Sequence, residues 1–185
     1  MTNKTKTDRT DFWLVVLLFG LIPVILLIFQ LTGYSILDED SLIALSENTK
    51  LQRDTLVIAE RFSERAARSH LEMMGNLAVL YAVSLVVALL TRLALGYFKN
   101  KQLPGYFSQN NGLQNLLFLF GVSAIVITAA FYWGPPFQWS GSRLARAIRP
   151  GISDIAYHAL FVGVGVMGFY SFVMAVFAKI RSKAD

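Results

Sequence analysis

The chain has 185 residues, 55% of them hydrophobic, and 17 Lys and Arg against 12 Asp and Glu give it a net charge of +5. It contains no cysteine, which excludes disulfides, thiolate catalysis and iron–sulfur ligation. The apolar residues are gathered in blocks: Phe12–Leu37, Met73–Thr91, Gln102–Ser142 and Ile155–Ala178 hold no Asp, Glu, Lys or Arg. A spanning helix needs about 20 apolar residues, and a charge at mid-bilayer costs at least ~2.5–3.5 kcal/mol on insertion scales. The blocks therefore predict an all-α, polytopic membrane protein, a single domain over 1–185, with four transmembrane helices and a helical extramembrane segment between helices one and two. The length leaves no room for a separate globular domain of ordinary size.

The first span is expected over 12–32. Lys4, Lys6 and Arg9 precede it, and Gly33-Tyr34-Ser35 carries the small-x-small letters of a signal-peptide cleavage site. The apolar run from Phe12 to Gly33 is longer than a usual signal-peptide core, so a retained helix is expected. Pro23, in the run Gly20-Leu21-Ile22-Pro23, removes a backbone donor and predicts a kink.

The next segment, 34–72, is polar. Asp38, Glu39 and Asp40 read as an acidic turn entering a helix at Ser41. The helical segment is expected over 41–72, with one face through Leu42, Leu45, Thr49, Gln52, Leu56, Ala59, Ser63, Ala66, His70 and Met73. Lys50/Asp54 and Glu64/Arg68 stand four apart and are candidate ion pairs. The expectation is a solvated amphipathic helix on or above the membrane, with a coiled-coil or partner-docking surface as the alternative.

The second span is expected over 75–98, with Arg92 snorkelling toward the headgroups beside Lys99 and Lys101. Pro104-Gly105 and Asn110-Asn111-Gly112 are turn formers that lead into a third span over 113–133. Gly134-Pro135-Pro136 follows, bracketed by Tyr132, Trp133, Phe137 and Trp139 as in an interfacial aromatic belt. Arg143, Arg146 and Arg149, three apart, make a basic loop. The fourth span is expected over 154–180, closed by Lys179, Arg181 and Lys183. Positive residues flanking a first span usually set orientation. Both termini are therefore expected in the cytoplasm, with 34–72 and 134–153 outside.

Gly163-Val164-Gly165-Val166-Met167-Gly168 matches the letters G-x-G-x-x-G, but it lies mid-span, without the strand and solvated helix start that a nucleotide site needs. Ala159 and Gly163 form a small-xxx-small pair. With Gly165 and Gly168 they mark a face of helix four for internal packing or partner contact, and Pro23 is a further candidate of that kind. His70 and His158 are expected at similar depth on helices two and four, as a bis-histidine haem would require. Arg65, Arg68 and Ser69 before His70 read as solvated helix, so two interfacial histidines are expected and no cofactor or metal. Arg65 and His70 also show the Arg-x4-His spacing of one ribonuclease family, for which an external location provides no RNA. The spans hold no acids, and HExxH, GxSxG and paired-carboxylate patterns are missing, so no enzyme is expected. Topology accounts for the positive charge without nucleic acid.

The chain resembles the four-span immunity proteins of pore-forming colicins, the colicin A type. The run Gly20-Leu21-Ile22-Pro23 is similar to that family's first span, and Arg143 to Arg149 fall where the family has a basic external loop. Length, four spans, internal termini, a long first external loop and a basic tail are shared features. The strongly helical, charged first loop departs from the family. The resemblance implies an inner-membrane binding protein that intercepts a toxin's pore-forming domain through intramembrane helices and external loops. The expected partners are the lipid bilayer and another membrane-inserted protein, either a toxin pore domain or a complex subunit, or a second copy. The other readings are an accessory subunit of a larger membrane complex and an oligomeric channel or pore-forming effector.

Overall fold

The computed structural model describes Trp13 and residues 15–94, 113–132 and 152–182. Every element among them is helical. The first apolar block forms a π-helical turn, Leu17–Leu21, that runs into α1, Ile22–Thr32. Pro23 explains the turn. The Ile22 N–H donates to the Leu17 carbonyl, five residues back, and in that register the Leu18 carbonyl would take its hydrogen bond from residue 23, which has no N–H. The expected disturbance at Pro23 is thus a widened turn that orphans the Leu18 carbonyl. Gly33 ends α1 in the left-handed conformation, φ 68°, and the Tyr34 N–H returns to the Phe29 carbonyl at 3.0 Å, a glycine-terminated cap.

The chain then folds back onto the bundle. Asn76 is buried and holds the returning strand at two points: it accepts from the Ile36 N–H at 2.7 Å and donates to the Tyr34 carbonyl at 2.9 Å. Beside it Gly75 leaves space for Leu37 and Leu42; a methyl group there would stand 2.8 Å from Leu42 Cδ2. Asp38 accepts from the Ser41 N–H at 3.0 Å and starts α2, Glu39–Glu47. After Asn48–Lys50 comes α3, Leu51–Arg61. The expected continuous helix over 41–72 is therefore broken twice. At the first break Thr49 Oγ1 donates to the Leu45 carbonyl and accepts from the Leu51 N–H. At the second, Ser63 Oγ accepts from the Ala66 N–H at 3.1 Å and opens the next helix, as serine does at a helix start.

That helix, α4, runs Glu64–Ala94, earlier than the expected 75; α5 is Leu113–Phe131 and α6 is Ile152–Ser182. The fifth helix packs along α6, and α3 packs along α4. The core is assembled from Leu18, Ile22 and Leu26, from Met74, Leu77 and Tyr81, and from Ala159, Val162, Val166 and Met174. The segment 39–61 is not a solvated rod: Leu42, Leu51, Asp54 and Ile58 are buried. The Lys50 N–H donates to the carbonyl of Phe131 at the end of α5, 2.9 Å away. The α2–α3 pair is thus a cap closing one end of the bundle.

Among the described residues two helices are long and apolar enough to cross a membrane, over Glu64–Thr91 and Ile155–Phe177. Four were expected. The other two expected spans contain shorter apolar helices, Leu17–Thr32 and Phe120–Phe131. The Arg92 side chain, the aromatic residues around the double proline from Trp133 onward, and Arg143, Arg146 and Arg149 lie outside the described residues.

Candidate functional site

The site forms because one face of α3 carries a charge where an apolar residue would serve. Leu51, Asp54 and Ile58 recur at three and four and share one helix face. All three are buried against the bundle, so the Asp54 carboxylate goes under the cap with them. Lys50, one turn earlier, follows it: Nζ lies 3.7 Å from Oδ2, and the two side chains are 7% and 2% exposed. The other carboxylate oxygen, Oδ1, has no hydrogen-bond partner among the described residues. The expected pairing is present, but as a buried pair rather than a solvated one. Burial raises the pKa of the Asp54 carboxyl, opposed first by the Lys50 ammonium and then by His70, Arg53 and His158. Burial lowers that of the Lys50 ammonium, opposed by Asp54. Both shifts favour neutral forms, because desolvation penalises charge more than a loose pair restores.

Two histidines complete the cluster. His70 on α4 is 1% exposed and His158 on α6 is 4% exposed. Their ring centroids are 5.6 Å apart and the rings meet edge to face at 67°. Tyr157 sets an edge against His158 at 5.3 Å. The expectation that His70 lies on a solvated face fails because Ala67, His70, Met74, Leu77 and Tyr81 make one inward stripe of α4, all buried. Arg65 and Arg68 lie on the opposite, exposed face. Arg68 pairs with Glu72 at 3.1 Å and reaches Glu39 at 4.0 Å, instead of the expected Glu64. Met74 and Val162, one turn on from each ring, are 0% and 3% exposed. Among the described residues no three His, Asp or Glu side chains are placed to hold a metal ion.

The small residues of α6 sit deeper in the bundle. Ala159 is fully buried, and its carbonyl accepts from the Tyr81 hydroxyl at 2.7 Å. The same hydroxyl lies 2.8 Å from the Leu18 carbonyl, the one that Pro23 leaves without a backbone donor. Gly163 faces this junction: an added methyl would stand 2.8 Å from Phe19 Cε1 and 3.2 Å from the Tyr81 oxygen. Gly165 faces α5, where a methyl would meet Ile127 at 3.0 Å and Val126 at 3.1 Å. Gly168 is partly buried, as is Pro23. Ala159, Gly163 and Gly165 thus sit inside the chain's own interfaces. The sequence reading missed Asp54 as a site residue; the available signal was its place between Leu51 and Ile58.

The arrangement buries a carboxylate, its lysine and two imidazoles within electrostatic reach of one another. No family model, no curated protein and no solved structure matches the chain.

Proposed function

We propose that the chain is a four-span inner-membrane binding protein, with both termini cytoplasmic, that recognises another membrane-inserted protein and not a small-molecule substrate. The membrane part of the reading is supported by large apolar side chains left exposed along every long helix: Val24, Ile28 and Leu31 on α1, Val83, Val86, Val87 and Leu90 on α4, Leu117, Phe118 and Ile125 on α5, and Leu160, Val164 and Phe177 on α6. Apolar patches this extensive mark lipid or protein contact. The binding part rests on one observation. The cap docks through its inner face yet still presents Ile43, Leu56 and Phe62, exposed by 47%, 63% and 47%, among the exposed Arg53, Arg61 and Arg65. An apolar anchor ringed by arginine is the composition of a protein-recognition surface.

With the resemblance in Gly20–Pro23, the partner proposed first is the pore-forming domain of a bacteriocin, neutralised as an immunity protein does. Expression in a toxin-sensitive strain should protect against one member of a panel of pore-forming toxins, and Leu56→Glu in the cap should abolish protection while leaving the protein in the membrane. Sensitivity to the whole panel, with co-purification of a stoichiometric membrane subunit in mild detergent, would favour the accessory-subunit reading instead.

A further inference from the structure

We propose that the Lys50–Asp54–His70–His158 cluster binds an exchangeable proton that fastens the α2–α3 cap onto the bundle, so that the cap closes as pH falls and loosens as it rises. The proposal stands on geometry. Asp54 is 1% exposed, one carboxylate oxygen reaches Lys50 only at 3.7 Å, and Oδ1 has no partner among the described residues. An ionised carboxylate has roughly four lone-pair sites to satisfy. Under the cap it satisfies few of them; with α3 lifted, water satisfies all. Protonation removes that difference. The imidazoles of His70 and His158 lie within electrostatic reach of the carboxylate from α4 and α6.

The charged and titratable groups around the site are Lys50, Arg53 and Asp54 from α3, His70 from α4, and His158 with Tyr157 beside it from α6. A carboxyl that binds its proton more tightly when docked than when free contributes stability at low pH that is lost as pH rises. The direction of the Asp54 shift has that sign; the lowered Lys50 pKa has the opposite one, acting downward from the lysine range while Asp54 acts upward from the carboxylate range.

The chain has no cysteine, so a single introduced thiol reports alone. Ile58→Cys lies under the cap and Leu56→Cys, two residues away on the same helix, lies on its surface; the parent residues are 0% and 63% exposed. Each variant is purified in nanodiscs and labelled with N-ethylmaleimide, and the rate ratio of buried to exposed thiol cancels the reagent's own pH dependence. The ratio should fall severalfold from about pH 8 to about pH 5.5, within the limit of about tenfold per pH unit that one linked proton sets. Adding Asp54→Asn together with Lys50→Met, so that the neutral mimic of the protonated acid leaves no ammonium stranded, should make the ratio low at both pH values. A ratio that stays constant or rises on acidification overturns the proposal, as does a pH response that survives the two substitutions. If that variant does not fold, the titration with Asp54 in place decides alone. Neither readout involves a partner, so failure here leaves the binding reading standing, and failure of toxin protection leaves this one standing.

Discussion

Two residues carry more of the structure than their identities announce. Tyr81 shares its one hydroxyl proton between the Ala159 carbonyl at 2.7 Å and the Leu18 carbonyl at 2.8 Å, and Pro23 is the reason that the second carbonyl needs it. Tyr81→Phe should therefore cost about 1–3 kcal/mol, the range for a buried acceptor left unsatisfied. Pro23→Ala, which restores a backbone N–H, should recover part of that loss in the Tyr81→Phe background; unfolding of the four variants in a denaturing detergent series gives the coupling. Additive losses would mean that the two residues act separately. Lys50 is the second case. Lys50→Met strands the Asp54 carboxylate and should destabilise the protein by about 3–5 kcal/mol, whereas Lys50→Met with Asp54→Leu should return to near the parent stability or exceed it, as buried pairs replaced by apolar residues often do. The same unfolding assay reads both.

At the scale of elements, capping chemistry decides where the polar segment bends. A periodicity drawn through 41–72 assumes one uninterrupted helix and places Gln52 and Leu56 on the inner face. The turn at Asn48–Lys50 rotates that face by one residue, so Leu51, Asp54 and Ile58 go in, and Leu56 comes out. Both break points were legible as local chemistry, with Thr49 and Ser63 in positions to exchange side-chain for backbone hydrogen bonds, but the fold-back was not. It depends on Asn76, whose two hydrogen bonds reach residues about forty positions away in sequence, a pairing that no local pattern encodes. The ends of the cap should also respond to acid in opposite directions. The Ser41 hydrogen bonds lower the Asp38 pKa, so its contribution is present above the ordinary carboxylate range and lost as pH falls through the lowered value. The Asp54 contribution runs the other way. Hydrogen exchange between neutral and acid pH, corrected for intrinsic rates, should show the start of α2 losing protection while α3 gains it; parallel changes would contradict the assignment.

For the molecule as a whole, the sequence pattern and the structure agree that the described residues form only helices, the long ones apolar outside as well as inside. Charge-free length was a sound guide to where the apolar helices lie. It overstated how regular they are, because Pro23 converts part of the first into a π turn and the polar segment extends the second back to Glu64. The small residues at Ala159, Gly163 and Gly165 were legible as sites of close approach, while their neighbours, Tyr81, Phe19 and Val126, follow only from the tertiary arrangement. The arrangement proposed above is a membrane-embedded bundle with its ionisable cap on the external side. It is tested most directly with a single cysteine at Gln52, exposed on α3, and another at Lys4, labelled in intact spheroplasts with a membrane-impermeant maleimide. The Gln52→Cys protein should sediment with membranes and label without permeabilisation, and Lys4→Cys should label only after it. Labelling of Lys4→Cys but not Gln52→Cys in intact spheroplasts, or recovery of either protein in the soluble fraction, would contradict the account.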